Sequence, residues 1–385
     1  MKNIYLDNNA TTMVAPEIIE AMKPFFADLW GNPSSMHFFG GQVAKHIEKS
    51  RGQVAALLNA DPSEIVFTSC GTESDNTAIA GAAEAAPPST RVITTRVEHP
   101  AVLGPCRRLN EHGHDLVELS VNSEGQLNLS ELKAALQGSP AIVSTMWANN
   151  ETGVVFPIER IAAMVKDSGG VFHTDAVQAV GKLPIDLRKL PIDMLSLSGH
   201  KLHAPKGIGA LFIRRGARMK PFLLGGHQEM GRRGGTENVP YIVALGVACD
   251  MALKNMRDEM TRVALLRDRL EIGLLSSCPD STVNGDRKNR LPNTTNISFQ
   301  YIEGEAILYH LSDLGVAASS GSACTSGSLE PSHVIRAMGV PFTSAHGSIR
   351  FSLSRYNTQE DVDYVIQQMP AIVTRLRKLS PFVKD

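Results

Sequence analysis

A single cysteine, Cys324, stands in the stretch SSGSACTSGS (residues 319–328), which gives its thiol no apolar cover. Free cysteines usually behave as small buried hydrophobes, so a thiol in a polar, glycine-rich stretch is a candidate for reaction. Glycine and serine would let such a thiol travel between a reactive site and an outside acceptor. A Gly/Ser linker that happens to contain a cysteine is the simpler alternative on composition alone. The choice between the two depends on residues elsewhere in the chain.

Lys201 ends the motif SGHK, directly after the predicted strand IDMLSLS. Ligands of open α/β sheets bind at the carboxyl ends of strands. A lysine held there beside other cations and partly desolvated has a lowered pKa, which makes its amine nucleophilic enough to form a Schiff base with an aldehyde cofactor. A solvated loop lysine is the commoner case, so this motif is weak evidence by itself.

Asp175 ends another predicted strand, GVFHTD, and Gln178 follows three residues later. A buried carboxylate needs a cationic partner, and the protonated ring nitrogen of pyridoxal phosphate is one. A carboxylate that keeps this nitrogen protonated turns the ring into an electron sink. Gln178 could then donate to the ring hydroxyl oxygen. Capping of a helix that begins near Ala176 is an equally good explanation of the aspartate on its own.

A phosphate site is expected where the strand EIVFT runs through Ser69, Cys70, Gly71 and Thr72 into a helix from Glu73. Glycine lets the backbone approach an anion, and the amides of a helix N-terminus bind one. Simple capping, with Thr72 and Asp75 as a weak capping box, is the alternative. The pattern G-x-x-x-x-G-K-S/T is absent, which argues against a nucleotide-hydrolysing P-loop.

Thr236 lies in a glycine-rich, cationic stretch, GGHQEMGRRGGTEN (residues 225–238). Its hydroxyl and the neighbouring amides could complete a phosphate cup. A flexible surface loop or a weak nucleic-acid patch is the plain alternative, although two adjacent arginines are too few for a surface that follows a nucleic-acid groove.

Two further side chains suit an amino-acid substrate on an aromatic cofactor. His99 follows the strand RVITT and could stack on the ring and move protons, or it could be an ordinary loop histidine. Arg350 interrupts the apolar run SIRFSLS and needs an anionic partner if it is buried. A planar guanidinium binds a carboxylate through two hydrogen bonds, which suits an amino acid. Together with the lysine, the aspartate and the phosphate site, these residues form a set that is hard to assemble by chance.

The composition of the chain narrows the class of protein. A length of 385 residues predicts one large core of about 200 to 250 residues and a smaller unit. A net charge of −1 gives no basic footprint for nucleic acid or an anionic membrane. Five widely spaced cysteines without a C-x-x-C pair argue against a disulfide framework and a closed zinc site. No signal peptide and no apolar run of about 20 residues is evident, so a cytoplasmic protein is expected.

The elements that must position these residues form an α/β pattern. Seven β-branched runs alternate with helical segments between residues 64 and 214, which predicts a seven-stranded, mostly parallel sheet covered by helices. After residue 241 a long charged helix leads into short strands and helices typical of a small α+β domain. We expect an N-terminal segment (residues 1–15) associated with the small domain, a large cofactor-binding domain (16–250) and a small C-terminal domain (251–385). The last contains the expected mobile catalytic-cysteine loop (319–332).

The chain resembles the cysteine desulfurases, pyridoxal-phosphate enzymes of fold type I and aminotransferase class V, over essentially its full length. The motifs that carry the resemblance are YLDNNATT (5–12), GNPSSMH (31–37), TSCGTESDN (68–76), EHPAV (98–102), MWANNETG (146–153), HTDAVQAVGK (173–182), LSGHKLHAPKG (197–207), RRGGTEN (232–238) and SSGSACTSGSLEPSHV (319–334). Their wording is nearest to the nitrogen-fixation type, NifS, and the housekeeping iron–sulfur type is very similar.

The resemblance implies a role for each candidate residue. Lys201 would carry pyridoxal 5′-phosphate, and Cys324, Lys201 and His99 would be the catalytic residues. The remaining cofactor contacts would come from Gly71, Thr72, His99, Asp175, Gln178, Ser198 and His200, with Thr236 supplied by the second subunit of a homodimer. Asn150 and Arg350 would bind the carboxylate of L-cysteine.

The activity implied by the resemblance is removal of sulfur from L-cysteine, which yields L-alanine and a persulfide on Cys324. An iron–sulfur scaffold or another acceptor protein would take the sulfur, with nitrogenase clusters as the expected destination. A transient iron–sulfur cluster could form on Cys324 through the persulfide. Another class V enzyme, such as a selenocysteine lyase or an aminotransferase, is one alternative, and a non-enzymatic sulfur or iron–sulfur carrier is the other. No nucleic-acid or membrane partner is expected.

Overall fold

The computed structural model describes residues 3–320 and 331–381, so Cys324 lies outside the described residues. Its strands are β1 Ile4–Tyr5, β2 Ile65–Thr68, β3 Arg91–Thr95, β4 Leu116–Leu119, β5 Ala141–Met146, β6 Val171–Asp175, β7 Met194–Ser198, β8 Gly209–Ile213, β9 Ser281–Val283, β10 Thr294–Phe299, β11 Val316–Ala317 and β12 Ser348–Ser352. Its α-helices are α1 Pro16–Met22, α2 Pro24–Ala27, α3 Phe38–Leu58, α4 Gly71–Ala85, α5 Pro100–Glu111, α6 Leu129–Ala135, α7 Ile158–Asp167, α8 Val239–Asp258, α9 Ala264–Ser277, α10 Gly304–Asp313, α11 His333–Ala337, α12 Phe342–Ala345 and α13 Gln359–Leu379.

A seven-stranded sheet, in the order β2-β8-β7-β6-β5-β3-β4, forms the centre of the fold. Strand β8 is antiparallel to both of its neighbours, and every other neighbouring pair is parallel. All residues of β2, β5, β7 and β8 are buried, as expected for strands covered by helices on both faces. The predicted seven-stranded, mostly parallel sheet is therefore confirmed.

The helices before the sheet pack inside the same chain. Helix α3 lies along α8, and α1 also contacts α8. A close approach of α3 to α8 is visible at Gly246, where an added Cβ would come within 2.7 Å of Ser50. The sequence could not decide whether these helices pack on the sheet or on a partner, and the structure places them against a helix of their own chain. Helix α4 packs on the sheet and contacts β7 and β8.

The C-terminal elements form a second hydrophobic cluster. Strands β12, β10 and β9 make an antiparallel sheet in that order, and α9, α10 and α13 contribute buried residues to the cluster. Ile4 and Leu6 belong to the same cluster, because β1 pairs in parallel with β11. A continuous helical segment, α8, a π-helical turn (Glu259–Val263) and α9, runs across the expected boundary at residue 250. The domain boundaries remain predictions.

This helical segment, Val239–Ser277, is the one helix in the described residues that is long and apolar enough to cross a membrane. Half of its most apolar window is buried inside the protein, where α8 packs against α3. A buried core helix of a soluble protein passes the same test of length and composition, and its packing favours that explanation. Asp250 and Lys254 interrupt the apolar part of this helix, so the sequence shows no unbroken apolar run of this length.

Candidate active site

A cavity of about 320 Å³ opens at the carboxyl edge of the large sheet. The predicted site residues that line it are Gly71, Thr72, His99, Asn150, Asp175, Gln178, Ser198, His200, Lys201 and Arg350. They come together because β2, β3, β5, β6 and β7 all run in one direction and end at the same edge. Thr236 is exposed and does not line the cavity of its own chain. The location of Cys324 lies outside the described residues.

Lys201 projects its amine into the cavity from a short 3-10 turn, Gly199–Lys201, directly after β7. The Nζ atom donates to the backbone carbonyls of Asn9 at 2.6 Å and Ala10 at 2.7 Å. Burial lowers the pKa of Lys201 to about 7, with Lys182 and Arg350 lowering it further and Asp175 opposing them. An amine with this pKa is about half unprotonated near pH 7, and this fraction is available as a nucleophile. The lowered pKa agrees with the expectation from sequence.

Asp175 lies at the end of β6, 8% exposed, with its Oδ1 atom accepting from the amide of Val177 at 2.9 Å. The segment after it forms turns and not a helix, so this hydrogen bond does not cap a regular helix. Burial raises the pKa of Asp175 to about 6. Asp75 lies behind it, and burial, followed by the charge of Asp175, raises the pKa of Asp75 well above its ordinary value. A cationic ligand group at Asp175 would relieve this unfavourable burial of negative charge.

The N-terminus of α4 fits an anion. Cys70 occupies the N-cap position and makes no side-chain capping hydrogen bond. The alternative of a Thr72–Asp75 capping box is therefore wrong, because Asp75 is buried and its carboxylate lies 3.6 Å from His173 Nε2. The Ser198 hydroxyl is buried and has no hydrogen-bond partner within residues 3–320 and 331–381. Uncapped amides and a lone hydroxyl at one corner match the donors that a phosphate requires.

Gly71 is closely packed against the other residues of this corner. A Cβ at this position would lie 2.8 Å from Val177 Cγ2 and 3.4 Å from Ser198 Cβ. His200, at the other side of the corner, has its Nδ1 atom 3.1 Å from the hydroxyl of Thr11. Burial, and then the charge of Lys201, lowers the pKa of His200 to about 4, so the ring is neutral near pH 7.

The structure is compatible with both of the roles that the sequence left open for His99. Its Nδ1 atom accepts from the amide of Ala101 at 3.1 Å and so caps α5. The ring also lines the cavity. Burial, and then the charges of Lys201 and His333, lowers the pKa of His99 to about 4. The hydrogen bond assigns the remaining ring proton to Nε2, which leaves His99 a neutral donor at working pH.

Arg350, on β12, is buried and has the anionic partner that the sequence analysis required. One terminal nitrogen donates to Asp7 Oδ1 at 2.6 Å, and the other donates to the carbonyl of Asn150 at 3.0 Å. Its Nε atom has no hydrogen-bond partner in the described part of the chain. A guanidinium held in this way at the cavity wall can bind the carboxylate of a substrate.

The described residues that flank the segment with Cys324 lie beside this cavity. Ser319 exchanges backbone hydrogen bonds with Arg350, at 3.2 and 2.6 Å. Ser332 donates its hydroxyl to the buried carboxylate of Glu151, and the Nε2 atom of His333 lies 2.9 Å from the carbonyl of Glu98. Ser319 is therefore bonded to Arg350, an expected substrate-binding residue. Ser332 and His333 are bonded to Glu151 and Glu98, which are the sequence neighbours of Asn150 and His99.

Sequence reasoning missed several residues of the site. Asp7, Asn9 and Ala10 hold Arg350 and Lys201, yet they come from a segment almost 200 residues away from the lysine. The motif YLDNNATT was noticed only through the family resemblance, and its aspartate and asparagines were the available signal. Lys182 and Glu151 were missed because a buried charged residue inside a motif looks the same in sequence as a solvated one.

These features fit pyridoxal phosphate. The α4 corner offers donors for its phosphate, Asp175 offers a negative charge for its ring nitrogen, and Lys201 offers an amine for its aldehyde. A mostly parallel seven-stranded sheet with this site at its carboxyl edge defines a pyridoxal-phosphate enzyme of fold type I. No cluster of three or more metal-binding side chains occurs among the described residues, and the expected cluster site at Cys324 falls outside them.

Known proteins agree with this assignment. The aminotransferase class-V family matches residues 4–365, and the chain belongs to that family. A cysteine desulfurase of a Nostoc species is 61% identical over 385 residues, which cover 100% of this chain and 96% of the relative. The cysteine desulfurase NifS of Azotobacter vinelandii is 58% identical over 383 residues, 99% of this chain and 95% of that protein. A solved NifS-like protein superposes with a TM-score of 0.91 at 38% identity, covering 97% of this chain and 100% of the other. The resemblance seen in the sequence is thus confirmed.

Proposed function

We propose that this chain is a cysteine desulfurase, which moves the sulfur of L-cysteine to Cys324 and releases L-alanine. The observation that carries the proposal is the convergence of Lys201, Asp175 and Arg350 on one cavity, in a chain 61% identical to a cysteine desulfurase. An amine, a buried carboxylate and a guanidinium are the groups that pyridoxal chemistry on an amino acid requires.

The residues of the site divide the work. When bound, pyridoxal phosphate supplies an electron sink that acidifies the substrate α-carbon. Lys201, whose pKa is about 7, accepts that proton as a general base. Arg350 and Asn150 orient the substrate carboxylate, and neutral His99 provides an N–H donor at the cavity wall.

Cys324 takes the sulfur. Its thiolate attacks the sulfur of the substrate, so that an S–S bond forms as the C–S bond breaks. The carbon that loses sulfur is reprotonated and becomes the methyl group of L-alanine. Ser319 and Ser332, attached at Arg350 and Glu151, support a location of the reacting thiol near the substrate.

Replacement of Cys324 by serine tests the acceptor. The variant should keep the visible absorption of the bound cofactor but form no persulfide when L-cysteine is added. Mass measurement of the peptides that contain Cys324 and Cys70 identifies the sulfur acceptor, because Cys70 also lines the cavity. Sulfur on Cys70, or normal sulfide release by the variant, would contradict the proposal. Formation of L-alanine without a keto-acid co-substrate separates the enzyme from an aminotransferase.

Replacement of Lys201 by alanine tests the cofactor lysine. The variant should lose the absorption that depends on this lysine and all turnover of L-cysteine. Lys206 is an exposed lysine five positions further along the chain, and its replacement by alanine is the matched control that should change neither. Unaltered turnover after loss of Lys201 would refute its assigned role.

We further propose a homodimer in which the partner covers apolar surface around α3 and the glycine-rich stretch. Trp30, Phe38 and Leu224 are 65%, 70% and 81% exposed, and Trp30 stacks on Phe39 at 5.5 Å. Large exposed apolar patches mark interaction surfaces. Thr236 lies outside the cavity of its own chain, which supports its delivery to the phosphate corner of a second copy. Sedimentation should show a dimer, and Thr236→Ala should weaken cofactor binding; a monomer with full cofactor affinity would contradict both.

The sulfur acceptor is proposed to be an iron–sulfur scaffold or a related acceptor protein in the cytoplasm. The name of the Azotobacter relative, NifS, supports delivery to nitrogenase clusters. A transient cluster on Cys324 through its persulfide belongs to the same proposal. Transfer of labelled sulfur from L-cysteine to a purified scaffold tests it, with the Cys324→Ser variant as control, and transfer by that variant would contradict it.

A further inference from the structure

A second buried lysine, Lys182, lies next to Gln178, and its charge lowers the pKa of Lys201 although it does not line the cavity. It is 8% exposed and lies in the turns after Asp175. Its Nζ atom donates to the backbone carbonyl of Gln178 at 3.1 Å and approaches the side-chain Oε1 atom of Gln178 at 3.5 Å. A buried ammonium that is held by an amide at the wall of a cavity needs an explanation.

The contacts of Gln178 connect this lysine to Lys201. Because the Oε1 atom of Gln178 faces Lys182, its Nε2 atom faces the other way and donates to the carbonyl of Asn9 at 3.0 Å. The same carbonyl accepts from Lys201 Nζ at 2.6 Å. The orientation of the Gln178 amide suits both neighbours, and one amide and one carbonyl separate the two amines.

The charges around the two amines favour a neutral Lys201. Lys182 and Arg350 are the cations that act on Lys201, and Asp175 and Asp7 are the opposing anions. His99 and His200 also face it, but their pKa values of about 4 leave them uncharged near pH 7.

Lys182 itself faces one carboxylate, Glu259, on the π-helical turn. Arg355 acts on the same carboxylate, and the charge of Lys182 also acts on His203 and His200. Burial lowers the pKa of Lys182 to about 8, so that the ammonium form predominates at pH 7. A nearby cation in a buried site disfavours a second one.

We propose that Lys182 is a positioning residue, whose ammonium group keeps the Lys201 amine neutral and sets the orientation of the Gln178 amide. The inference deepens the proposed function and rests on Lys201 being the reactive amine. It adds to the proposed function the requirement for a positive charge on a residue that does not contact the substrate.

The test is a pH titration of the visible absorption of the holoenzyme, which reports the protonation of the link between the cofactor and Lys201. Lys182→Met removes the charge and keeps a long unbranched side chain. The midpoint of the titration of this variant should rise by about one pH unit. Lys182→Arg keeps the charge and should stay within about 0.3 unit of the wild type. Lys182→Gln is a second neutral variant, for use where the methionine variant does not fold.

A purely structural lysine would give a different pattern. Neutral variants would then lose stability or cofactor content while the midpoint stayed within about 0.3 unit of the wild type, and that result would overturn the inference. Failure of the proposed function is distinguishable, because the titration needs no sulfur transfer. If Lys201→Ala kept the wild-type absorption, the assignment of Lys201 would be at fault and this inference would fall with it.

Discussion

Replacement of Glu229 by alanine should destabilise the protein through one buried arginine. Two nitrogens of Arg51 donate to the two carboxylate oxygens of Glu229 at 2.7 and 3.0 Å, and the side chains are 5% and 3% exposed. Glu229 also accepts from the amide of Phe67 at 3.0 Å. The alanine variant would leave a buried guanidinium and a buried amide without this acceptor.

The expected loss is about 3 kcal/mol in the free energy of unfolding. Removal of one partner from a buried ion pair costs about 3 to 5 kcal/mol. The lower end applies here, because Arg51 still donates to Glu48 at 3.1 Å and to the carbonyl of Ile65 at 2.9 Å. Glu229 belongs to the glycine-rich stretch that contains Thr236, so weaker cofactor binding by the dimer should accompany the lost stability.

Urea unfolding followed by circular dichroism measures the effect. Glu48→Ala is the matched control, because it removes the other carboxylate of the same arginine from a side chain that is 67% exposed. Its effect should be below about 0.5 kcal/mol, as for other exposed pairs. The double variant Arg51→Met, Glu229→Leu should recover most of the loss, because it leaves no buried charge. Equal, small effects of Glu229→Ala and Glu48→Ala would refute the reasoning.

Three further predictions concern the site. Gly71→Ala would place a Cβ 2.8 Å from Val177 Cγ2 and so disturb the expected phosphate site. Cofactor affinity should fall at least about tenfold in a spectroscopic titration, and unchanged affinity would exclude this corner as the phosphate site. Arg350→Lys keeps the charge but loses the planar contacts to Asp7 and Asn150. The KM for L-cysteine should rise about tenfold or more in steady-state kinetics, and an unchanged KM would refute the binding of the substrate carboxylate by Arg350. Burial raises the pKa of Glu98 to about 8. Protonation of this carboxyl therefore stabilises the folded state fully below about pH 4.5, and the stabilisation is lost as the pH rises toward 8. Relative to wild type, Glu98→Gln should therefore gain roughly 3.5 kcal/mol between pH 5 and pH 8 in urea unfolding, and parallel pH profiles would contradict this.

The fold could be read from the sequence to a large extent. All seven strands of the large sheet occur where β-branched runs predict them, because a buried strand needs a short apolar run whatever its neighbours are. The long helix that was expected after residue 241 begins at Val239, and its first turns are apolar and pack on α3.

The site could be predicted in part. Asp175, Ser198 and Lys201 follow strand ends, and parallel strands bring such residues to one edge. The capping box at Thr72 and Asp75, the alternative to a phosphate site, is wrong, because a local pattern cannot show that Asp75 turns inward toward His173. The same limit explains why the anionic partner of Arg350 was expected and its identity, Asp7, was not.

The sequence by itself determined the seven strands, the residues at their ends and the isolated thiol at Cys324, since these depend on residue type and short-range spacing. The tertiary structure alone decided which carbonyls hold Lys201, which way Gln178 points and which buried lysine acts on the reactive amine. The pKa of an amine depends on burial and on charges within a few ångströms. Chain segments almost 200 residues apart supply those neighbours here, and only folding brings them together.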